Sequence, residues 1–230
     1  VTVLGIETAT AVCGAAVSRD GAVLAEAQIS APQAHSERLL ALVGEVLAAA
    51  GIAVGGLDGI ACSIGPGSFT GLRIGLSVAK GLAYAADLPL AAVSTLEALA
   101  ARAVGDGRAA DGDTVLAAID ARRDEVYAAS FLVSGGVLTL RSAPAAHTVS
   151  ALAATFGAGA RIVLAGDGGA KLRRAAPFLE LPPAGGETCA PGPVALIGER
   201  MLRAGVRADL ASVEPAYVKE FFTTAVPLSQ

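Results

Sequence analysis

The stretch from Ile60 to Ala86 constrains the fold more than any other part of the chain. A short apolar run ends at Ile64, the turn Gly65-Pro66-Gly67 follows, and a long segment then carries apolar residues at helical spacing. Ser68 or Thr70 stands where a hydroxyl can accept from the unpaired amides of a helix start. The stretch therefore reads as strand, tight turn, helix. Gly71, Gly75 and Ala79 recur every four residues, so they share one side of that helix and invite another backbone to approach. A glycine inside a helix costs about 0.5–1 kcal/mol relative to alanine, so two in one stripe call for a packing reason. Arg73 and Lys80 interrupt the run well before membrane-spanning length.

A chain of 230 residues with 53% hydrophobic side chains can bury a sizeable core, and its composition excludes disorder. Its net charge of -4 argues against a dominant nucleic-acid-binding surface, which needs clustered Lys and Arg. Cys13, Cys62 and Cys189 are odd in number and widely spaced, as suits reduced thiols. The N-terminal VTVLGIETAT has no basic region ahead of its apolar run and reads as a first strand. A cytoplasmic protein with no membrane partner is the expectation.

In chain order, strands are expected at 1–6, 12–18 and up to about Ile29, the last two joined by the hairpin signal Asp20-Gly21. An amphipathic helix over 34–50, a strand over 57–64, the helix of the opening stretch, a strand at 89–93 and a helix to about Val104 complete a first lobe. The polar run 105–113 reads as a linker and 114–230 as a second lobe with a C-terminal arm. Ile6-Glu7 followed by Ala15-Ala16 matches Ile119-Asp120 followed by Ala128-Ala129 in spacing, which points to a half-chain duplication. Two lobes that each begin strand, acid, turn, strand have the layout of the two-lobed α/β fold shared by actin, sugar kinases and Hsp70 (ASKHA), with duplicated mixed-sheet lobes. There such an acid serves a nucleotide and its metal.

GIETATAVCGAAVS, AHSERLLALV, GPGSFTGLRIGLSVAKGLA, VSTLEALA, IDARRDEVYAA and PAYVKEFF together resemble the TsaB family, also called YeaZ, in order from residue 5 to residue 222. Glu7 departs from the pattern, since the family more often carries Asp there. The resemblance implies a noncatalytic scaffold subunit of the machinery that forms N6-threonylcarbamoyladenosine beside the tRNA anticodon. Its implied partners are a TsaD-like catalytic paralogue and a TsaE-like ATPase, with tRNA met through the complex and a homodimer formed in isolation. The catalytic paralogue carries a metal-binding V-H-H-x-E-x-H block. The matching segment here is Val93-Ser94-Thr95-Leu96-Glu97-Ala98-Leu99, without imidazoles at Thr95 and Leu99.

With His35 and His147 as its histidines, the chain is expected to hold no metal, no catalytic residue and no cofactor of its own, ATP entering only in the assembled complex. Gly71, Leu72, Gly75 and Ala79, with His35, Arg38, Leu39 and Leu42 on the 34–50 helix, are the expected partner or dimer surface. The competing expectation is that the glycines face inward and let the helix lie close on its own sheet. Glu7 and Asp120 are read as a vestigial nucleotide site; used actively, they would make the chain a weak ATPase or small-molecule kinase. Arg122, Arg123, Asp124 and Glu125 are read as a solvated turn.

Overall fold

A computed structural model describes residues 1–30, 35–156, 161–177 and 188–218. Strands β1 (Thr2–Glu7), β2 (Val12–Arg19) and β3 (Ala22–Ser30) form an antiparallel meander, closed by the Asp20-Gly21 turn with both residues at positive φ. Helix α1 (His35–Ala50) crosses it, and β4 (Gly59–Gly65) then enters parallel to β1. Helix α2 (Phe69–Ala85) and β5 (Leu90–Ser94) complete a five-stranded sheet in the order β3-β2-β1-β4-β5.

Helix α3 (Thr95–Gly105) leads through the 105–113 segment into a second sheet. There β6 (Thr114–Asp120), β7 (Glu125–Ser134) and β8 (Val137–Thr148) form a second meander, and β9 (Ile162–Ala165) pairs parallel to β6. The order β8-β7-β6-β9 repeats β3-β2-β1-β4. Short helices α4 (Val149–Ala153) and α5 (Gly169–Ala175) stand where α1 and α2 stand in the first half. The shared topology bears the two-lobed mixed α/β expectation out.

The duplication is not exact in register. Ile6 faces Ala15, but Ile119 faces Tyr127 rather than Ala128, because the second turn is one residue shorter. Arg122 and Arg123, both at positive φ, make that tighter reversal.

The last described helix, α6 (Pro191–Arg203), starts three residues earlier than the periodicity from Val194 suggests, since Pro191 sits in the first turn, where no amide is needed. It packs on the first sheet, against β1, β2 and β4. Two glycines permit the approach: a methyl group at Gly5 would meet the Ala195 amide nitrogen at 2.5 Å, and one at Gly198 the Ala61 methyl at 2.2 Å. Residues 208–217 also return to the first half, where the Ala208 amide donates to the Leu90 carbonyl and the Ala216 amide to Ile64. Assigning all of 114–230 to the second lobe follows chain order but not this packing. Helix α3 lies between the two sheets, and one cluster of buried residues runs from Val3, Ala61 and Val93 through Leu96 and Leu99 to Val115, Phe131 and Ala165. The run 179–193, which holds four prolines and reads from sequence as a loop, falls largely outside the described residues.

Candidate functional site

The first turn, Thr8 to Ala11, is sealed by the start of α2. Ser68 caps that helix by accepting from the Gly71 amide, and its own amide donates to the Ala9 carbonyl at 2.7 Å. The Thr8 hydroxyl donates to the Gly71 carbonyl at 2.8 Å. A methyl group at Gly71 would lie 2.0 Å from the Thr8 carbonyl oxygen, and one at Gly75 2.1 Å from the Thr8 hydroxyl oxygen. The glycine stripe is therefore the seam between α2 and its own sheet.

This overturns the expected interface. Gly71, Leu72, Gly75 and Ala79 are buried within the chain, as are Leu39 and Leu42 of α1, each at most 2% exposed where side chains are present. Arg38 is exposed, and the His35 side chain lies outside the described residues. Helical spacing locates a stripe but not the side it faces, and the inward alternative is the one realised.

The outward side of the same two helices has a different character. Leu40, Ala41, Gly44 and Ala48 are exposed on α1, as are Ser77, Gly81 and Tyr84 on α2, with Ile74 and Val78 half-buried. Nothing lies within 4 Å of a methyl group placed at Gly44 or Gly81. Leu40 is 59% and Tyr84 84% exposed. At the start of α2, Phe69 stacks on Tyr217 with ring centroids 5.3 Å apart, and the Arg73 guanidinium lies 4.0 Å over the Phe69 ring. This face could have been found in the sequence by asking which small residues remain once the core stripe is removed.

Glu7 is wholly buried. Its Oε1 accepts from the Ala9 amide at 2.7 Å and the Thr10 amide at 3.1 Å, while Oε2 has no hydrogen-bond partner by distance and angle. Burial pushes its pKa up, against the lowering influence of the nearby Ser63 hydroxyl, the Cys189 thiol and the two amides. The three cysteines, all buried and none in a disulfide, lie within the electrostatic reach of this carboxyl. Burial and then the Glu7 charge raise each thiol, Cys13 to about 11, so these are packing residues rather than nucleophiles.

Asp120, at the matching end of β6, is partly exposed and ion-paired with Lys171 of α5. Its amide donates to Asp167, and its carboxylate accepts from the Arg122 amide at 2.7 Å. Desolvation raises its pKa, but the Lys171 hydrogen bond, the Arg122 amide and the Lys171 charge outweigh that and lower it. Glu7 and Asp120 thus end equivalent strands in unlike surroundings, one sealed and neutralisable, the other charged and paired. The second half also holds a Gly-x-Gly turn after β9, Gly166-Asp167-Gly168, which corresponds to Gly65-Pro66-Gly67 and which the sequence reading missed. Its first glycine needs a positive φ, and a methyl group there would meet the Ala118 carbonyl oxygen at 2.2 Å.

The segment 93–99 packs into the interior. Ser94 caps α3, Thr95 is buried, and Leu96 and Leu99 belong to the core. Among the described residues no group of three or more His, Cys, Asp or Glu is placed to hold a metal ion. None of their helices is long and apolar enough to cross a membrane.

Comparison with known proteins gives these features a family context. The profile of TsaD, tRNA N6-adenosine threonylcarbamoyltransferase, matches residues 23–190. A Pseudomonas aeruginosa protein described by its similarity to peptidase YeaZ superposes with a TM-score of 0.81 at 30% identity, covering 95% of this chain and 99% of that one. The chain belongs to the TsaB (YeaZ) family. The Escherichia coli protein named tRNA threonylcarbamoyladenosine biosynthesis protein TsaB is 43% identical over 129 residues, 56% of this chain and 54% of that protein. Its Bacillus subtilis namesake is 39% identical over 137 residues, 60% of this chain and 58% of that protein. The chain thus spans little more than half the length of these curated relatives. The fold extends further, to component A of the Acidaminococcus fermentans (R)-2-hydroxyglutaryl-CoA dehydratase, with a TM-score of 0.53 at 10% identity.

Proposed function

We propose that this chain is a noncatalytic scaffold subunit of the cytoplasmic machinery that forms N6-threonylcarbamoyladenosine in tRNA. It would dock a TsaD-like catalytic paralogue through the outward face of α1 and α2. The observation that carries this reading is the face itself: two adjacent helices expose small and apolar residues around Gly44 and Gly81, with no Cβ to hold a partner helix away. A second chain built on the same fold can present an equivalent face, and a four-helix contact about a pseudo-twofold axis then needs no new surface. Relationship to such a chain is supported by the match to the TsaD profile and by 40% identity over 116 residues, 42% of this chain and 31% of that protein, to the Maricaulis maris tRNA N6-adenosine threonylcarbamoyltransferase. Without the paralogue, two copies of this chain would pair through the same face. A TsaE-like ATPase would join the assembled pair and bring its nucleotide with it, and tRNA would be modified by the complex.

The buried Thr95 and Leu99 support the noncatalytic part of the reading, because they stand where the paralogue's block carries imidazoles. Against the alternative of a kinase or ATPase stand the sealing of Glu7 from solvent and the engagement of Asp120 by Lys171. Gly44→Arg and Gly81→Arg test the proposal. Each adds a side chain into open space on an exposed helix face, so the melting temperature should hold. Sedimentation with the catalytic paralogue should then show pairing lost, and tRNA modification in a reconstituted system should fall with it. Folded variants that pair with wild-type affinity would overturn the reading.

A further inference from the structure

We propose that the hollow between the β6–β7 turn and α5 is a phosphate pocket that receives a backbone phosphate of RNA. RNA as the source of that phosphate rests on the tRNA-modification reading above; the anion site itself rests on the geometry. The hollow has a volume of about 270 Å³ and is lined by Arg123, Asp124, Ser150, Lys171 and Arg174. In a chain of net charge -4 this is a local concentration of cations, extended by Arg122 and Arg173 next to them in sequence.

These cations come from two separate segments that the fold brings together and holds. Lys171 Nζ bonds Asp120 and also donates to the Arg123 carbonyl at 2.8 Å, which ties α5 to the turn. The Val149 amide donates to the Asp124 carbonyl at 3.0 Å, which ties the start of α4 to the same turn. Arg122 and Arg123 both have positive φ, so the reversal is tight and both side chains stand exposed. Lys171 is occupied by Asp120. Among the described residues, Arg122, Arg123, Arg173 and Arg174 make no ion pair, and the Ser150 hydroxyl makes no hydrogen bond.

Asp124 is the one acid in the lining and offsets one of its two arginines, Asp120 balances Lys171, and Glu125 and Asp167 at the edges are set against Arg122 and Arg173, so one guanidinium group of the lining is left over. Guanidinium groups bond phosphate oxygens in a planar fork, and a free hydroxyl adds a further donor. No large exposed apolar side chain lines the pocket, in contrast to the α1–α2 face with Leu40 and Tyr84. A protein partner would need such anchors, whereas a phosphodiester needs only the donors and the charge.

The test is binding of an unmodified tRNA transcript by the isolated chain, followed by fluorescence anisotropy across a salt series, with the melting temperature recorded for each variant. Arg123→Ala with Arg174→Ala should weaken binding about tenfold at low salt and lower the salt slope by about one. Arg161→Ala, which removes a cation paired to Asp113 instead, should leave both unchanged. Should the double variant fail to fold, Arg174→Gln alone, an exposed single change, gives the same reading at smaller size. Wild-type affinity and slope in a folded variant, or no tRNA binding by the wild-type chain, would overturn the proposal. Titrations with ATP and inorganic phosphate distinguish the source: loss of these ligands with tRNA binding intact means a small phosphorylated ligand and overturns the RNA assignment. Failure of the Gly44 and Gly81 pairing test would leave this binding result standing, so the two readings fall separately.

Discussion

The turns after β1 and β6 descend from one layout and have opposite fates. Each follows a strand that ends in an acid, and each lies near a Gly-x-Gly turn that opens a helix. The difference is where the helix lands. In the first half the Ser68 amide bonds Ala9, two residues beyond the acid, so α2 lies over the turn and Glu7 is buried. In the second half the Gly168 amide bonds Ala118, two residues before the acid. Helix α5 therefore leaves the turn projecting, and Asp120 with its flanking arginines stays in solvent. A shift of a few residues in the landing point turns the same scaffold into either a packed joint or a charged, accessible hollow.

The strongest way to break this comparison is to force the sealed turn open. Gly75→Arg places a charged side chain against the Thr8 side chain inside the chain, and burying an unpaired charge costs several kcal/mol. The expected result is loss of the cooperative melting transition; a folded variant would mean that α2 can lift from the turn. Gly71→Ala is a milder probe. Its methyl group overlaps the Thr8 carbonyl, and overpacking of that kind should lower stability by about 2 kcal/mol in urea unfolding. Gly81→Ala on the open side should instead stabilise by about 0.5–1 kcal/mol.

The two acids make opposite predictions with pH. Burial raises the pKa of Glu7 above its ordinary value of 4.5, so between that value and the raised one the folded state holds a proton that the unfolded chain has lost. Its contribution is then fully present below 4.5 and is lost as pH rises through the raised pKa. Glu7→Gln keeps an acceptor for the Ala9 and Thr10 amides without the charge. It should flatten this decline and leave the variant more stable than wild type at neutral pH, as thermal melts from pH 4 to pH 8 would show. A wild-type pH profile in the Gln variant would show that Glu7 does not titrate in this range.

Asp120 has the smallest effect and the reverse sign. Its pKa is lowered below 3.8, so the stability it adds is present above that value and is lost as pH falls through the lowered pKa. The Asp120–Lys171 pair is partly exposed, and Asp120→Asn should cost about 1 kcal/mol or less at neutral pH. A larger loss in urea unfolding would mean that the second turn is held as tightly as the first.

Much of this architecture was legible in the sequence. The Asp20-Gly21 hairpin, the strand–turn–helix of 60–86 and the paired strand-and-acid openings depend on local chemistry, namely φ preferences, hydroxyl caps and apolar spacing. Those signals extend to a strand at 162–165 and a helix start at 168–176, and the Gly-x-Gly turn at 166–168 between them is weakly marked because the strand has four residues and the helix seven. What local chemistry does not contain is which side of a helix meets which neighbour. Gly71, Gly75 and Ala79 announce a close approach, but both a partner helix and the chain's own Thr8 satisfy that announcement. Contact with Thr8 depends on residues more than sixty positions away.

The same division separates the two acids. Sequence alone determines that Glu7 and Asp120 end equivalent strands and that the intervening residues reverse the chain. Tertiary structure alone decides that Glu7 is sealed while Asp120 shares a lysine with an open turn, because burial depends on where a distant helix lands. It likewise gathers Arg123 and Arg174 about one hollow and turns Gly44 and Gly81 to solvent. Surface position is a property of the assembled elements, and no periodicity along a single element encodes it.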